Sequence, residues 1–211
     1  MIRYNASILH CTTKGILMMT KLLAFSGSTR TGSFNQAILE VAAEGARESG
    51  VKVTVINLVD YPMPIFNEDE ESATGVPENA SAFKQLLSEH DGFLIASPEY
   101  NSSYPALLKN AIDWATRMEE GDKPMQAFKG KTAGIMAASA GGLGGMRVLV
   151  VLRMLLANIG VTVLPAQLAV AKVNTLMDDS GVVTDEKTIK QLKSLGKQTA
   201  ELTMKMTAQV L

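Results

Sequence analysis

Residues 26–35 read SGSTRTGSFN, between an apolar run, KLLAF, and a helix-like segment, FNQAILEVAAEGARESG. A chain that leaves a strand and starts a helix there presents unpaired backbone amides at the helix end, which favour an anion. Ser26, Ser28, Thr29, Thr31 and Ser33 add hydroxyl donors, and Gly27 and Gly32 permit close backbone approach. Arg30 adds a guanidinium able to fork two phosphate oxygens. A short loop carrying its own cation suits a terminal phosphate monoester better than a pyrophosphate. Gly27 and Gly32 have P-loop spacing, but Ser33 and Phe34 follow where Lys and Ser/Thr are needed, and the G-x-G-x-x-G fingerprint is absent. The alternative is a hydroxyl-rich helix cap that binds nothing.

Two further stretches could meet what the phosphate carries. In SPEYNSSYPALLKNAIDWA, from Ser97, Pro98 and Pro105 stiffen a loop that offers Glu99, Tyr100, Asn101, Ser102, Ser103 and Tyr104. Amide, phenol and hydroxyl groups together suit the edge of a planar heteroaromatic ring. In SAGGLGGMR, from Ser139, four glycines surround Leu143 and let a flat ring approach the backbone. Phosphate donors on one loop and ring-edge donors on two others describe a mononucleotide with a flat ring, FMN rather than NAD. Each loop alone also reads as an ordinary strand-to-helix turn.

The elements that must hold these loops alternate along the chain. LLAF at 22–25, VKVTVINL at 51–58, DGFLIAS at 91–97, TAGIMAAS at 132–139 and VTVLPAQLAVAKV from 161 read as strands. Helical spacing follows each of them: Phe34, Ile38, Val41 and Ala42 before the Gly50 stop; ENASAFKQLLSEH after Pro77; Leu108, Ile112 and Ala115 after Pro105. MRVLVVLRMLLANIG is apolar almost all round, too short at roughly fifteen residues for the ~20 that span a bilayer, and so is expected to be buried in the core or against another subunit. The last helix carries Ile189, Leu192, Leu195 and Leu202 behind a Thr184 cap. Trp114 is expected in the core, Asp113 and Arg117 as an i,i+4 pair, and YPMPIFNEDEE as an irregular loop. That acidic loop is either a border of an acceptor pocket or simply solvated.

A βαβαβαβαβα order implies a doubly wound α/β fold with a parallel sheet and helices on both faces. Ligands of such sheets sit outside the carboxyl ends of the strands, at the switch in strand order. The loops 26–35, 97–105 and 139–145 should all open on that edge.

The bulk chain excludes several alternatives. Its 211 residues, 46% hydrophobic and 19% charged, suffice for one domain over 21–211. Residues 1–20, which carry no acid, are expected to be a non-core extension, either a start-site extension or a weak organelle-targeting segment. A net charge of −1 gives no electrostatic argument for nucleic acid or a membrane surface, and neither is expected as a partner. The single cysteine, Cys11, rules out an internal disulfide and agrees with a reduced, cytoplasmic setting. With only His10 and His90, there is little material for a Ser-His-Asp triad or a histidine-rich metal centre.

GSTRTGSFN, PEYNSSYPALLKNAIDW and GGLGGMRVLVVLRMLLANIGVTVLP together resemble the NADPH-dependent FMN reductases of the flavodoxin-like fold, over roughly Lys21 to Leu202. Ala106 stands where that family commonly has glycine. The resemblance implies a five-stranded sheet of order 2-1-3-4-5 and non-covalent FMN. It implies that Ser26, Ser28, Arg30, Ser33 and Asn35 hold the phosphate. Pro98, Glu99, Tyr100, Asn101 and Ser103 would meet the ring and ribityl chain, and Ser139, Gly141 and Gly142 the ring's other edge. It also implies a homodimer or homotetramer, and ping-pong transfer from NADPH or NADH to a small-molecule acceptor: a quinone, chromate, an azo dye or free flavin. No residue of the chain would be catalytic in its own right and no metal would be bound, since the cofactor carries the chemistry. The alternative is a flavodoxin-like electron carrier without nicotinamide activity, against which the near-neutral charge stands.

Overall fold

A computed structural model describes residues 19–208. The expected N-terminal extension, with His10 and Cys11, therefore lies outside the described residues except for Met19 and Thr20.

Five strands, β1 (Lys21–Ser26), β2 (Lys52–Asn57), β3 (Gly92–Ala96), β4 (Thr132–Ala138) and β5 (Thr162–Val170), form one parallel sheet in the order β2-β1-β3-β4-β5. The three inner strands are apolar runs because helices cover them on both sides. Their side chains alternate between two cores: Leu23, Phe25, Phe93, Ile95 and Ile135 on one face, Leu22, Ala24, Leu94, Ala96 and Met136 on the other.

Helices α3 (Glu78–Glu89), α4 (Ala106–Ala115) and α5 (Met146–Asn158) close the first core, and α1 (Phe34–Arg47) and α6 (Glu186–Ala208) close the second. The long apolar helix α5 buries Val148, Leu149, Leu152 and Leu156 on the sheet and leaves Met146, Val150 and Met154 exposed on its outer face. Trp114 is buried, as expected.

Between α4 and β4, the buried Lys84 ammonium joins Glu119 and Asp122 and donates to the Arg117 carbonyl (3.1 Å). On the edge strand, β5 advances from Val163 to Gln167 while β4 advances only from Ala133 to Ile135. Arg153 of α5 fills the resulting bulge. It donates to the carbonyls of Val163 (3.3 Å), Leu164 (2.9 Å) and Pro165 (3.4 Å), and to Gln167 Oε1 (2.8 Å).

Three local expectations are corrected. The segment 60–71 is not wholly irregular, because α2 (Glu68–Thr74) starts within it, capped by Asn67, whose side chain accepts from the Asp69 amide (2.9 Å). The last helix is capped by Asp185, which accepts from the Thr188 amide (2.8 Å), rather than by Thr184. Asp113 pairs with Lys109 one turn earlier, which frees Arg117 to bind Glu71 (2.8 Å) and to lie over Phe66, 5.1 Å from its ring centre.

Candidate functional site

The strand order reverses at β1, whose neighbours are β2 on one side and β3 on the other. The register sets Ser26 beside Ala96, and Ala96 beside Met136, so the loops after β1, β3 and β4 leave the sheet at one edge. The three sequence-expected loops are thus brought together at the switch point.

In loop 26–33, Ser33 is the cap of α1, accepting from the Gln36 amide (3.3 Å), and Ser26 Oγ accepts from the Ser28 amide (3.2 Å). Both hydroxyls keep a proton to donate. Ser26, Ser28 and Ser33 are buried, while Thr29 to Gly32 are exposed. Arg30 donates to the carbonyls of Thr31 (3.1 Å) and Gly32 (2.6 Å) and stacks 5.0 Å from the Phe34 ring centre. Its guanidinium is therefore held across its own loop, with N–H groups left over. Gly27 serves packing as well as approach: its amide donates to the Ala96 carbonyl (2.8 Å), and a Cβ there would lie 3.1 Å from Leu108.

Asn35 stands apart from the other expected phosphate ligands. Its Nδ2 donates to the Ala138 carbonyl (3.1 Å) and its Oδ1 accepts from the Ala138 amide (2.9 Å). The side chain is a buried clasp between α1 and the end of β4, so only its backbone amide faces the helix start. The clasp links residues 103 positions apart, and no local pattern announces it.

In loop 97–105, the backbones of Tyr100 and Ser103 pair with each other (2.9 and 3.1 Å) around Asn101 and Ser102, whose φ values of 52° and 67° are left-handed. This tight turn, where Asn-Gly would be usual, aims Tyr100 and Asn101 outward into solvent. Pro98 is buried and Ser103 half-buried. Glu99 is engaged at the start of α5. Its Oε2 accepts from the Arg147 (2.9 Å) and Val148 (3.1 Å) amides, capping α5, whose preceding residue is a glycine without a side chain to do so.

Loop 139–145 contains two kinds of glycine. A Cβ at Gly144 would lie 2.5 Å from the Ala171 nitrogen and one at Gly145 2.6 Å from Ala137 Cβ, so these two are demanded by packing. Gly142 faces open space, and Gly141 would meet only Ser139 Oγ at 3.6 Å. The exposed pair and the half-buried Ser139 form the rim, held to the end of β5 by the Lys172 amide on the Gly141 carbonyl (3.1 Å) and the Val173 amide on the Ser139 carbonyl (3.1 Å).

His90 plays no part at this edge. It lies two residues before β3, at the sheet's amino end, and its Nδ1 donates to the Leu86 carbonyl (2.7 Å). Nε2 is thereby left to accept from the Thr54 hydroxyl (2.8 Å). Burial pushes its pKa below the ordinary histidine value. Among the described residues no cluster of His, Cys, Asp and Glu could hold a metal ion. The site thus offers hydroxyls, amides and one guanidinium at one end, and open glycine backbone with a stiff polar turn at the other.

Residues 20–175 match the NADPH-dependent FMN reductase family. The chain is 36% identical to an NAD(P)H-dependent FMN reductase of Pseudomonas aeruginosa over 168 residues, 79% of this chain and 86% of that one. It is 33% identical to an NAD(P)H:quinone oxidoreductase of Solanum tuberosum, over 83% of this chain and 88% of that one. Among solved structures, the flavoenzyme NAD(P)H:(acceptor) oxidoreductase FerB of Paracoccus denitrificans superposes with a TM-score of 0.72 at 29% identity, covering 89% of this chain and 98% of that one. With a family match over most of its length and relatives of this identity, the chain belongs to the NADPH-dependent FMN reductases.

Proposed function

We propose that the protein is an NAD(P)H oxidoreductase that holds FMN at the three-loop edge and reduces a small-molecule acceptor, a quinone first among chromate, azo dyes and free flavin. The observation that carries this reading is the convergence of a hydroxyl- and amide-rich helix start with an open glycine rim on one switch point. The residues fit the cofactor: Ser26, Ser28, Ser33, Arg30 and the amides opening α1 suit a phosphate, and the space beside Gly141 and Gly142 suits a flat ring. Asn35 contributes its backbone amide and fixes the helix start through Ala138.

Pro98, Tyr100, Asn101 and Ser103 border the ring on one side and Ser139, Gly141 and Gly142 on the other. Glu99 acts through α5, which it caps. Held by these residues, FMN would supply the redox chemistry that links NAD(P)H to the acceptor in a ping-pong scheme. The chain's residues orient the ring, and the open amides of the glycine rim favour negative charge at its edge. No side chain is required as acid, base or nucleophile. Anaerobic addition of NADPH to the FMN-loaded protein tests the reading. Bleaching of the flavin absorbance, reversed by a quinone, is expected. A bound flavin that stays oxidised with both NADPH and NADH overturns it in favour of an electron carrier.

The protein is taken to act in the cytoplasm, as one domain over 21–211 preceded by a non-core segment. Among the described residues no helix is long and apolar enough to cross a membrane. It is further read as a homodimer or homotetramer. Met146, Val150 and Met154, 51, 63 and 58% exposed and four residues apart on α5, give a continuous apolar stripe for a second copy. Val150→Asp is expected to lower the mass measured by sedimentation equilibrium. An unchanged oligomer would remove α5 from the interface.

A further inference from the structure

The reductase reading brings two phosphate-bearing molecules to one edge of the sheet, and the loop around Arg30 provides for only one. In the three loops and the first turns of the helices that follow them, the basic residues are Arg30, Lys109 and Arg147. Lys109 is neutralised by both oxygens of Asp113 (2.5 Å each). Arg147 is placed differently. Its backbone amide is fixed by Glu99, and its side chain leans from the start of α5 across to the turn of loop 97–105, 3.5 Å from Ser102 Oγ.

Glu99 orients this guanidinium without saturating it. The nearer carboxylate oxygen is 3.6 Å from Nη1, beyond a good hydrogen bond, while the other oxygen already serves two amides. The carboxylate also faces the positive end of α5, worth about half an elementary charge, so the neighbourhood of Arg147 stays net positive. The side chain is 57% exposed, and most of the guanidinium's five donors remain free for a planar, two-pronged contact.

We propose that Arg147 binds a phosphate of the incoming NAD(P)H, so that the two arginines at this edge divide the labour, Arg30 for the cofactor and Arg147 for the reductant. This rests on the reductase reading. The bridging position explains why the arginine belongs on α5 rather than in a loop: a residue tied to both ring-bordering loops is fixed relative to whatever lies between them.

Equilibrium binding of NADP+ and of NAD+ to the FMN-loaded protein, by titration calorimetry, tests it with Arg147→Met and Arg147→Lys. Arg147→Met is expected to weaken NADP+ binding about tenfold or more, the scale of one charge-assisted contact. Arg147→Lys, which keeps the charge but loses the fork, should fall between. FMN affinity, measured separately by flavin fluorescence, should change by less than about twofold, since the loop around Arg30 is untouched. A loss confined to NADP+ assigns the contact to the 2′-phosphate; an equal loss for NAD+ assigns it to the pyrophosphate. Undiminished binding of both nucleotides overturns the inference, as does a parallel loss of FMN, which would make Arg147 part of the flavin site. If the wild-type protein binds neither nucleotide and is not reduced by NAD(P)H, the reductase reading itself fails.

Discussion

Two side chains of the first loop region do different work from their neighbours. Arg30 lies over Phe34 and across its own loop carbonyls, ready to meet a phosphate with its remaining donors. Arg30→Ala is expected to weaken FMN binding by about 1.5–3 kcal/mol, the scale of hydrogen bonds to a charged group. Unchanged affinity in a fluorescence titration would remove Arg30 from the phosphate site. Asn35 answers both backbone groups of Ala138 in the buried interior. Asn35→Ala leaves an amide and a carbonyl without partners, so urea unfolding should show a loss of about 1–3 kcal/mol. Asn35→Asp should fare no better, because a carboxylate can accept from the Ala138 amide but meets its carbonyl with like partial charge.

At the scale of elements, the loops are legible in the sequence while the ties between them are not. Runs such as LLAF and GFLIA announce buried strands by composition alone, and the hydroxyls of loop 26–33 announce an anion site because helix starts need donors answered locally. Glu99 and Arg147 are 48 residues apart, and only the parallel crossover of β3 and β4 makes the first a cap for the second's helix. The same holds for Arg117, which looked paired with Asp113 by spacing but was drawn away by Glu71 on a helix hidden in an acidic, proline-rich stretch. Spacing along one helix reveals partners only when no other helix competes. Glu99→Ala should uncap α5 at a cost of about 0.5–2 kcal/mol in thermal or urea unfolding, with Glu99→Gln retaining part of it. It should also raise the FMN dissociation constant, because the glycine rim leads directly into that helix.

At the scale of the whole molecule, one contribution to acid stability comes from the Lys84 cluster between α4 and β4. The Lys84 ammonium hydrogen-bonded to Asp122 holds that carboxyl below the usual carboxylate range. The folded state therefore gives up this proton more readily than the unfolded chain, whose aspartates titrate near about 3.9. The stability so gained is full above the unfolded value and is lost as pH falls through the folded one. Asp122→Asn should lower stability at pH 7, and the gap between variant and wild type should close as pH drops below about 4. A gap that stays constant with pH in urea titrations would mean that the charge of Asp122 is immaterial.

The bulge on β5 bears on how copies of this protein can meet. An open sheet ends in a strand whose unanswered peptide groups invite another strand, from a neighbour or from a misfolded chain. Here the middle of that strand is closed to such recruitment: Pro165 has no N–H to offer, and the carbonyls of Val163, Leu164 and Pro165 already hold Arg153. Growth of the sheet by strand addition is therefore disfavoured at its β5 margin, where the bulge and the Arg153 guanidinium occupy peptide groups that an added strand would need.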